Sequence, residues 1–264
     1  MDEMTQPQDV LTRDDRDFVT ALASGLEVIT AFDDAHRSMT LSEVAVRTGM
    51  NRAKARRFLL TLHALGYVRK RQRHFELAPK VLSLGYAFLA ANNYHLVVQQ
   101  CLEEITETLG ESSSLGILDG TDVVYAARSG ARHRLMAITL SIGTRLPAAY
   151  TSMGRVLLAQ LDDAALDALL DTVTLEAHTE RTITDKTALR AEIERVRRDG
   201  YCIVDQELDS GLRSIAVPLF SATGRLLGAI NISTNAARID HDTLVERFLP
   251  LLREKCAIMA RHIH

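Results

Sequence analysis

The stretch LSEVAVRTGMNRAKARRFLLTLHALGYV (41–68) determines how the first part of this chain folds. Thr40, the residue just before it, opens a capping box, in which its hydroxyl and a carboxylate three residues later each satisfy a free backbone NH. After a turn that contains a glycine, Asn51 is a favourable N-cap for a second helix, which Gly66 ends. Two helices joined by such a turn are typical of a helix-turn-helix, here from Leu41 to Leu60.

Two short strands follow around Arg71-Gln72-Arg73 and predict a β-hairpin. A helix in the major groove beside such a hairpin is the winged-helix mode of DNA binding. The predicted DNA-binding residues are two caps and the cations of helix and hairpin: Thr40, Asn51, Arg52, Lys54, Arg56, Arg57, Arg69, Arg71 and Arg73. Which of them read bases stays open, because at least half of such hydrogen bonds go to phosphate and sugar. Arg57 could instead pack on the first helix.

The distribution of charge favours a polyanionic partner. The net charge is -3, but residues 1–34 hold nine acidic and two basic residues, whereas 35–80 hold eleven basic and two acidic ones. From Val44 to Phe75 there are nine Lys or Arg and no Asp or Glu. Each cation set against a phosphate releases condensed counterions, so this segregation favours double-stranded DNA over a basic face that is merely solvated.

Composition excludes several other classes of protein. With 264 residues, 47% of them hydrophobic and 25% charged, the chain is globular and long enough for two domains. Its apolar stretches are shorter than the ~20 residues of a membrane helix, and its acidic start is unlike a secretory signal. Three cysteines without a CxxC pair argue against a disulfide framework or a structural zinc site. We therefore expect a cytoplasmic protein with no membrane partner, metal or cofactor.

The rest of the chain predicts a linker and a second, larger domain. The segment Pro79 to Ala91 is apolar around most of its circumference and must be covered on more than one side. A linker helix that packs on another protomer fits, and so does a core helix of the second domain. Alternating helices and antiparallel hairpins then predict an α+β sandwich around one sheet. The expected division is a flexible acidic N-terminus (1–16), a winged helix-turn-helix domain (17–78), a linker or dimerisation helix (79–93) and a ligand-binding domain (94–264).

Small and polar residues recur at the strand ends and turns of this second domain. Asn231 and Ser233 are two residues apart, so they point to one face of the last predicted strand. Convergent polar groups on a sheet suit a small-molecule pocket, although ordinary turn and capping chemistry explains the same residue types. No P-loop, nucleophile elbow, dinucleotide-binding or zinc-protease signature is present in the sequence, so no catalytic residue is assigned.

The motifs resemble, in combination, the IclR family of bacterial transcription regulators from about Asp17 onward. They are residues 41–68, LPAAYTSMGRVLLA (146–159), DGYCIVDQELDSGLRSIAVPLF (199–220) and GAINIS (228–233). Two stretches, DRDFVTALASGLEVITAF (15–32) and SIGTRLPAAYTSMGRVLLA (141–159), are most similar to the Pca/Pob subgroup, which controls protocatechuate, 4-hydroxybenzoate and β-ketoadipate catabolism. The resemblance implies a winged helix, a dimerising linker helix and a GAF-like α/β-sandwich effector domain.

An effector pocket is also implied by the resemblance, which favours the pocket interpretation over turn chemistry. Its positions fall on Ser152, Met153, Gly154, Asp205, Ser214, Asn231 and Ser233. The helix start at Ser152 would suit a carboxylate, and Arg134 could add a bidentate clamp or be a solvent-exposed turn residue.

The expected function is a ligand-responsive regulator that binds operator DNA as a homodimer or dimer of dimers and responds to an aromatic-pathway acid. One alternative is the same regulator with a different small acid, such as glyoxylate or acetate. Another is a cysteine-dependent enzyme on a GAF-like fold. The dispersal of the cysteines and the lack of a base beside them count against an enzyme.

Overall fold

The computed structural model describes residues 11–33, 35–85, 95–131 and 140–263. The chain divides between Ala91 and Asn92 into two units, each with its own hydrophobic core. None of the described helices combines the length and hydropathy needed to cross a bilayer.

The smaller unit consists of three helices and a three-stranded antiparallel sheet. Its elements are α1 (Thr20–Thr30), β1 (Ser38–Thr40), α2 (Leu41–Arg47), α3 (Arg52–Ala64), β2 (Val68–Arg71) and β3 (His74–Leu77). The strand order is β1-β3-β2, so the predicted hairpin is flanked by a strand too short for the sequence pattern to show. The predicted winged helix-turn-helix is confirmed. After a 3-10 turn at Pro79–Val81, residues 82–85 are helical, and the remainder of the predicted linker helix lies outside the described residues.

Capping residues start α2 and α3 where the sequence predicts. The NH of Glu43 donates to Thr40 Oγ1 (3.4 Å) while the Glu43 carboxylate accepts from the Thr40 NH (2.6 Å), which completes the capping box. Asn51 Oδ1 accepts from the Lys54 NH at 2.8 Å. Helical spacing predicts that Leu65 faces the core with Leu59 and Leu62, but α3 ends at Ala64 and Leu65 is 53% exposed, so that prediction is wrong.

The larger unit is built on one six-stranded antiparallel sheet with helices on both faces. Its helices are α4 (His95–Leu109), α5 (Ser152–Leu158), α6 (Asp163–Thr172), α7 (Lys186–Asp199) and α8 (Leu249–His262). Its strands are β4 (Ser112–Asp119), β5 (Asp122–Ser129), β6 (Arg145–Pro147), β7 (Cys202–Asp205), β8 (Leu212–Phe220) and β9 (Leu226–Asn235), in the order β6-β5-β4-β9-β8-β7. The predicted α/β sandwich is confirmed.

Alternation along the strands divides this sheet into two different faces. Leu115, Ile215 and Ile232 pack with α4 and α8 in one core, whereas Val123 and Ala229 pack with α5 in the other. The sequence pattern predicts one C-terminal helix from about His241 to His262, but the structure interrupts it with a π-helical turn at Leu244–Phe248, because the proline at position 250 has no NH to donate to the preceding turn. The alternation from Leu135 to Ile142 predicts a further strand, most of which lies outside the described residues; residues 140–142 are not a strand.

Candidate functional site

Helix α3 of the smaller unit presents a cationic surface. Arg52, Arg56 and Arg57 are exposed and Lys54 is half-buried, while Ala55 on the opposite side is fully buried. Residues four apart lie one turn apart on a helix, so Arg52 and Arg56 follow each other along one stripe. The helix therefore offers a continuous row of cations for a polyanion.

The hairpin extends this cationic surface. Arg69, Arg71 and Arg73 are all exposed, and Arg71 Nε lies 3.6 Å from the Glu76 carboxylate. Of the nine cations between positions 44 and 75, Arg47 also has an ion pair, and the other seven have no carboxylate partner within the described segments. Their charges are available to phosphates, since surface pairs that would compete for them are not formed.

A narrow cavity lies in the larger unit, between the sheet and the start of α5. Its lining residues are Tyr125, Leu146, Tyr150, Thr151, Val204, Leu208, Leu212, Ser214, Asn231 and Ser233. Its volume is about 20 Å³, so the cavity has little room between its walls. Apolar and aromatic walls with a few convergent polar groups are typical of a small-molecule site. The sequence prediction named three of these residues (Ser214, Asn231 and Ser233) and missed both tyrosines.

The polar side of the cavity is incompletely hydrogen-bonded. Ser214 lies opposite Ser233 on the neighbouring strand, so both point to the cavity face. Asn231 Nδ2 donates to Ser233 Oγ at 3.1 Å, but Asn231 Oδ1 has no partner, nor does the buried Ser152 Oγ, within the described part of the chain. A buried polar group without a partner costs about 1–3 kcal/mol. A ligand with matching polar groups would remove part of that cost.

Two tyrosines form the aromatic part of the cavity wall. The Tyr150 hydroxyl accepts a hydrogen bond from the Glu176 NH at 2.5 Å, and its ring packs edge-on against His178 with 4.6 Å between centroids. The Tyr125 hydroxyl has no hydrogen bond to any described residue. Burial raises the pKa of Tyr125 to about 12, so the hydroxyl is a neutral donor at physiological pH.

A buried ion pair supports the walls. Arg155 Nη1 and Nη2 donate to the two carboxylate oxygens of Glu207 at 2.7 and 2.5 Å, and Arg155 Nε donates to the Ala149 carbonyl at 2.9 Å. Burial alone would lower the pKa of Arg155, but the hydrogen bonds to Glu207 and the charges of Glu207 and other nearby groups together outweigh it, and the net shift is upward. The pair fixes the chain beside Tyr150 and Leu208, and nothing in the sequence prediction pointed to it.

Two of the predicted pocket residues serve packing instead of lining the cavity. Met153 is fully buried in the core. A Cβ on Gly154 would lie 2.1 Å from the Ala148 carbonyl oxygen, so glycine is what allows α5 to approach the turn before it. Ser152 is buried directly beside the lining residue Thr151.

Asp205 is also not among the residues that line the cavity. Asp205 accepts a hydrogen bond from Arg213 Nε at 2.7 Å and pairs with Arg181 as well. These interactions, the hydrogen bond from Arg213 above all, lower the pKa of Asp205, so its carboxylate is already satisfied within the chain. Arg134 lies outside the described residues.

Models of known protein families match both the smaller and the larger unit. A model described as "IclR helix-turn-helix domain" matches residues 21–72, and one described as "Bacterial transcriptional regulator IclR C-terminal" matches residues 88–261. The chain belongs to the IclR family. The family predicted from the sequence motifs is thus confirmed. As a helix-turn-helix regulator, the protein binds DNA and carries a ligand-binding effector domain.

Two of the similar proteins match nearly the whole chain, and a third matches about two thirds of it. The Pca regulon regulatory protein of Pseudomonas putida is 46% identical, over 90% of this chain and 82% of its own. A crystal structure of a Rhodococcus sp. RHA1 protein is 48% identical, with a TM-score of 0.82 over 92% of this chain and 97% of the other. The inducer-binding domain of PobR from Acinetobacter, solved as a double mutant with 3-hydroxybenzoic acid, is 30% identical, with a TM-score of 0.60 over 64% of this chain and 98% of the other.

The enzyme alternative fails on this membership, because the matched family and relatives are transcriptional regulators. The chemistry of the cysteines agrees with that result. Burial raises the pKa of Cys202 and that of Cys256 to about 12, which leaves both as inert thiols at neutral pH.

Proposed function

We propose that this protein regulates the catabolism of aromatic acids and that its effector is an aromatic-pathway acid bound in the cavity beside α5. The operator contacts come from the caps, α3 and the hairpin: Thr40, Asn51, Arg52, Lys54, Arg56, Arg57, Arg69, Arg71 and Arg73. The protein has two arrangements that differ in their affinity for DNA. The acid changes the overall affinity for DNA only if it binds one of these arrangements more tightly than the other.

Support for the operator surface comes from the seven cations that have no carboxylate partner within the described segments. Phosphate contacts of this kind dominate affinity and make it fall steeply with salt. In this proposal the protein acts as a homodimer or a dimer of dimers. Its palindromic half-sites are then separated by about one helical turn or a multiple of it.

The observation that carries the effector proposal is the composition of the cavity wall. Tyr125 and Tyr150 offer flat apolar surface for a ring, and Ser214, Asn231 and Ser233 offer polar groups. Relatives support the same class of ligand, since the Pseudomonas putida protein is named for the Pca regulon and the PobR domain was solved with 3-hydroxybenzoic acid.

A second candidate effector is favoured by the narrowness of the cavity. The cavity has a volume of only about 20 Å³, which suits a small acid such as glyoxylate or acetate. An aromatic ring has to displace wall side chains first. That displacement is also a means by which a ring, unlike a smaller acid, could change the state of the protein.

A thermal-shift screen against protocatechuate, 4-hydroxybenzoate, β-ketoadipate, glyoxylate and acetate separates these candidates. A ligand at 100 times its Kd adds about 2.7 kcal/mol, which raises the Tm of a unit of this size by roughly 5–10 °C. We expect that rise with an aromatic-pathway acid. A rise with glyoxylate or acetate alone would contradict the aromatic effector and leave the DNA-binding proposal standing.

The operator surface is tested with Arg56→Ala and a matched control, Arg225→Ala, which removes an exposed arginine from the β8–β9 turn. Fluorescence anisotropy measures binding to a duplex selected from a random library. Arg56→Ala should weaken binding and reduce the salt slope by about 0.9 for each phosphate that the variant no longer neutralises. Its thermal shift with the effector should stay unchanged. Equal operator affinity for the two variants would remove Arg56 from the interface.

A further inference from the structure

A β-bulge places Arg128 on the cavity side of the sheet. Side chains alternate along a regular strand, so Tyr125 and Arg128, three residues apart, should face opposite sides. The pairing of β4 with β5 shifts by one residue, so that Gly116 lies opposite Tyr125 and Ser114 lies opposite Arg128. Because Ser114 and Gly116 are two apart on β4, their partners share one face. Arg128 therefore faces the same side as the cavity residue Tyr125.

Arg128 also shares a row with the polar side of the cavity. Ser114 lies opposite Arg128 on one neighbouring strand and opposite Asn231 on the other. Strands are spaced by about 4.8 Å, so the backbones of Arg128 and Asn231 are roughly 10 Å apart. Only the small side chain of Ser114 stands between them in this row. An arginine side chain, with three methylenes before its guanidinium, can cover much of that gap.

The guanidinium of Arg128 has no partner in the described part of the chain. It is half-buried, yet it forms no ion pair and no hydrogen bond there. Two other arginines of the same sheet are neutralised: Arg145 Nε lies 3.1 Å from Asp122 and Arg213 Nε lies 2.7 Å from Asp205. Burial lowers the pKa of Arg128, which expresses the cost of holding this charge away from water. Such a cost is offset when an anion joins the site.

We infer that Arg128 is the residue that binds the carboxylate of the effector. This rests on the proposed function and deepens it, because it requires an acid and not a neutral phenol or amide of the same shape. The guanidinium fork matches both carboxylate oxygens. The ring then lies against Tyr125 and Tyr150. Asn231 Oδ1 accepts a hydrogen bond from a hydroxyl on the ring, and the Ser233 hydroxyl donates to or accepts from such a substituent. The sequence prediction gave the clamp to Arg134, and the test below distinguishes the two arginines.

The test is isothermal titration calorimetry of the full chain with 4-hydroxybenzoate, protocatechuate and the neutral analogue 4-hydroxybenzamide. Arg128→Met should weaken binding of the acids about 10- to 100-fold, the usual range for a lost charge-assisted hydrogen bond. Arg128→Met should bind the acids only as tightly as the wild type binds the amide. The affinity of Arg128→Met for the amide should equal that of the wild type. Arg128→Lys, which keeps the charge without the fork, should lie between them.

Arg225→Met is the matched control and should bind acid and amide as the wild type does. Melting curves without ligand establish that each variant is folded. Three results would overturn the inference. Arg128→Met could bind the acids as tightly as the wild type does, or it could lose as much affinity for the amide as for the acids. The third result is that only Arg134→Met, and not Arg128→Met, loses affinity for the acids. If the wild type binds glyoxylate but neither aromatic acid, the proposed effector is wrong. The role of Arg128 then stands only if Arg128→Met also loses glyoxylate.

Discussion

Replacing Glu207 with Gln should strongly destabilise the larger unit. Its partner Arg155 has a side chain only 1% exposed, and an arginine in a protein cannot give up its proton. Removing one partner of a buried ion pair costs about 3–5 kcal/mol because the other charge stays buried without compensation. For a unit of this size each kcal/mol lowers the Tm by about 2–4 °C, so we expect a fall of roughly 6–20 °C. Glu207 also accepts a hydrogen bond from the Ile183 NH at 3.2 Å, which glutamine can keep.

Circular dichroism melts of the full chain provide the assay, with Asp163→Asn as the matched control. Asp163 is 69% exposed and pairs with Arg197 at 2.9 Å, so its loss should change the stability little. The double variant Arg155→Met/Glu207→Leu should recover most of the lost stability, since well-packed apolar residues replace both charges. If Glu207→Gln melts within about 2–3 °C of Asp163→Asn, or if the double variant is less stable than the single one, the buried ion pair does not stabilise the unit in this way.

Three further predictions concern the packing, the thiols and one carboxylate. Gly154→Ala should lower the Tm by several degrees, because its Cβ would clash with backbone, whereas Gly130→Ala, with open space around it, should not. Cys202 and Cys256 should react with a disulfide reagent at pH 8 only after denaturant is added, since burial holds the pKa of each thiol at about 12; fast reaction of the native protein would contradict this. The fold lowers the pKa of Asp205 below its ordinary value of 3.8, so the ionised carboxylate stabilises the folded protein at neutral pH. This stabilisation is lost as the pH falls through the lowered pKa. Asp205→Asn should therefore melt lower than the wild type at pH 7, and the difference should shrink in acid.

Local signals in the sequence were sufficient for the two helices of the helix-turn-helix and for the β4–β5 hairpin. Thr40 and Asn51 start the two helices of the helix-turn-helix through hydrogen bonds to residues three positions away, and such pairs are visible in a sequence. The turn between β4 and β5 is equally visible in the sequence, because Asp-Gly favours a tight hairpin turn and Gly120 adopts the positive φ (+60°) that such a turn requires. The polar set at Ser233 and its neighbours was found from the alternation of one strand.

Long-range pairing explains what the sequence could not reveal. Arg155 and Glu207 are 52 residues apart, and neither lies in a pattern that marks it as half of a buried pair. The two tyrosines reach the cavity from different elements, and Arg128 reaches its side of the sheet only because of one bulge. Asp205 was predicted for the pocket on its residue type, but the carboxylate is taken by an arginine that only the pairing of β7 with β8 brings near.

Control of DNA binding by an aromatic acid is tested by the affinity for the selected operator duplex, measured by fluorescence anisotropy with and without saturating 4-hydroxybenzoate or protocatechuate. One of these acids should change the operator Kd by about 5- to 150-fold, the usual range of coupling between two sites. By reciprocity, the operator must change the Kd of that acid by the same factor. An operator Kd that stays the same while the acid is bound in the cavity would contradict the claim that this protein is a regulator controlled by an aromatic acid.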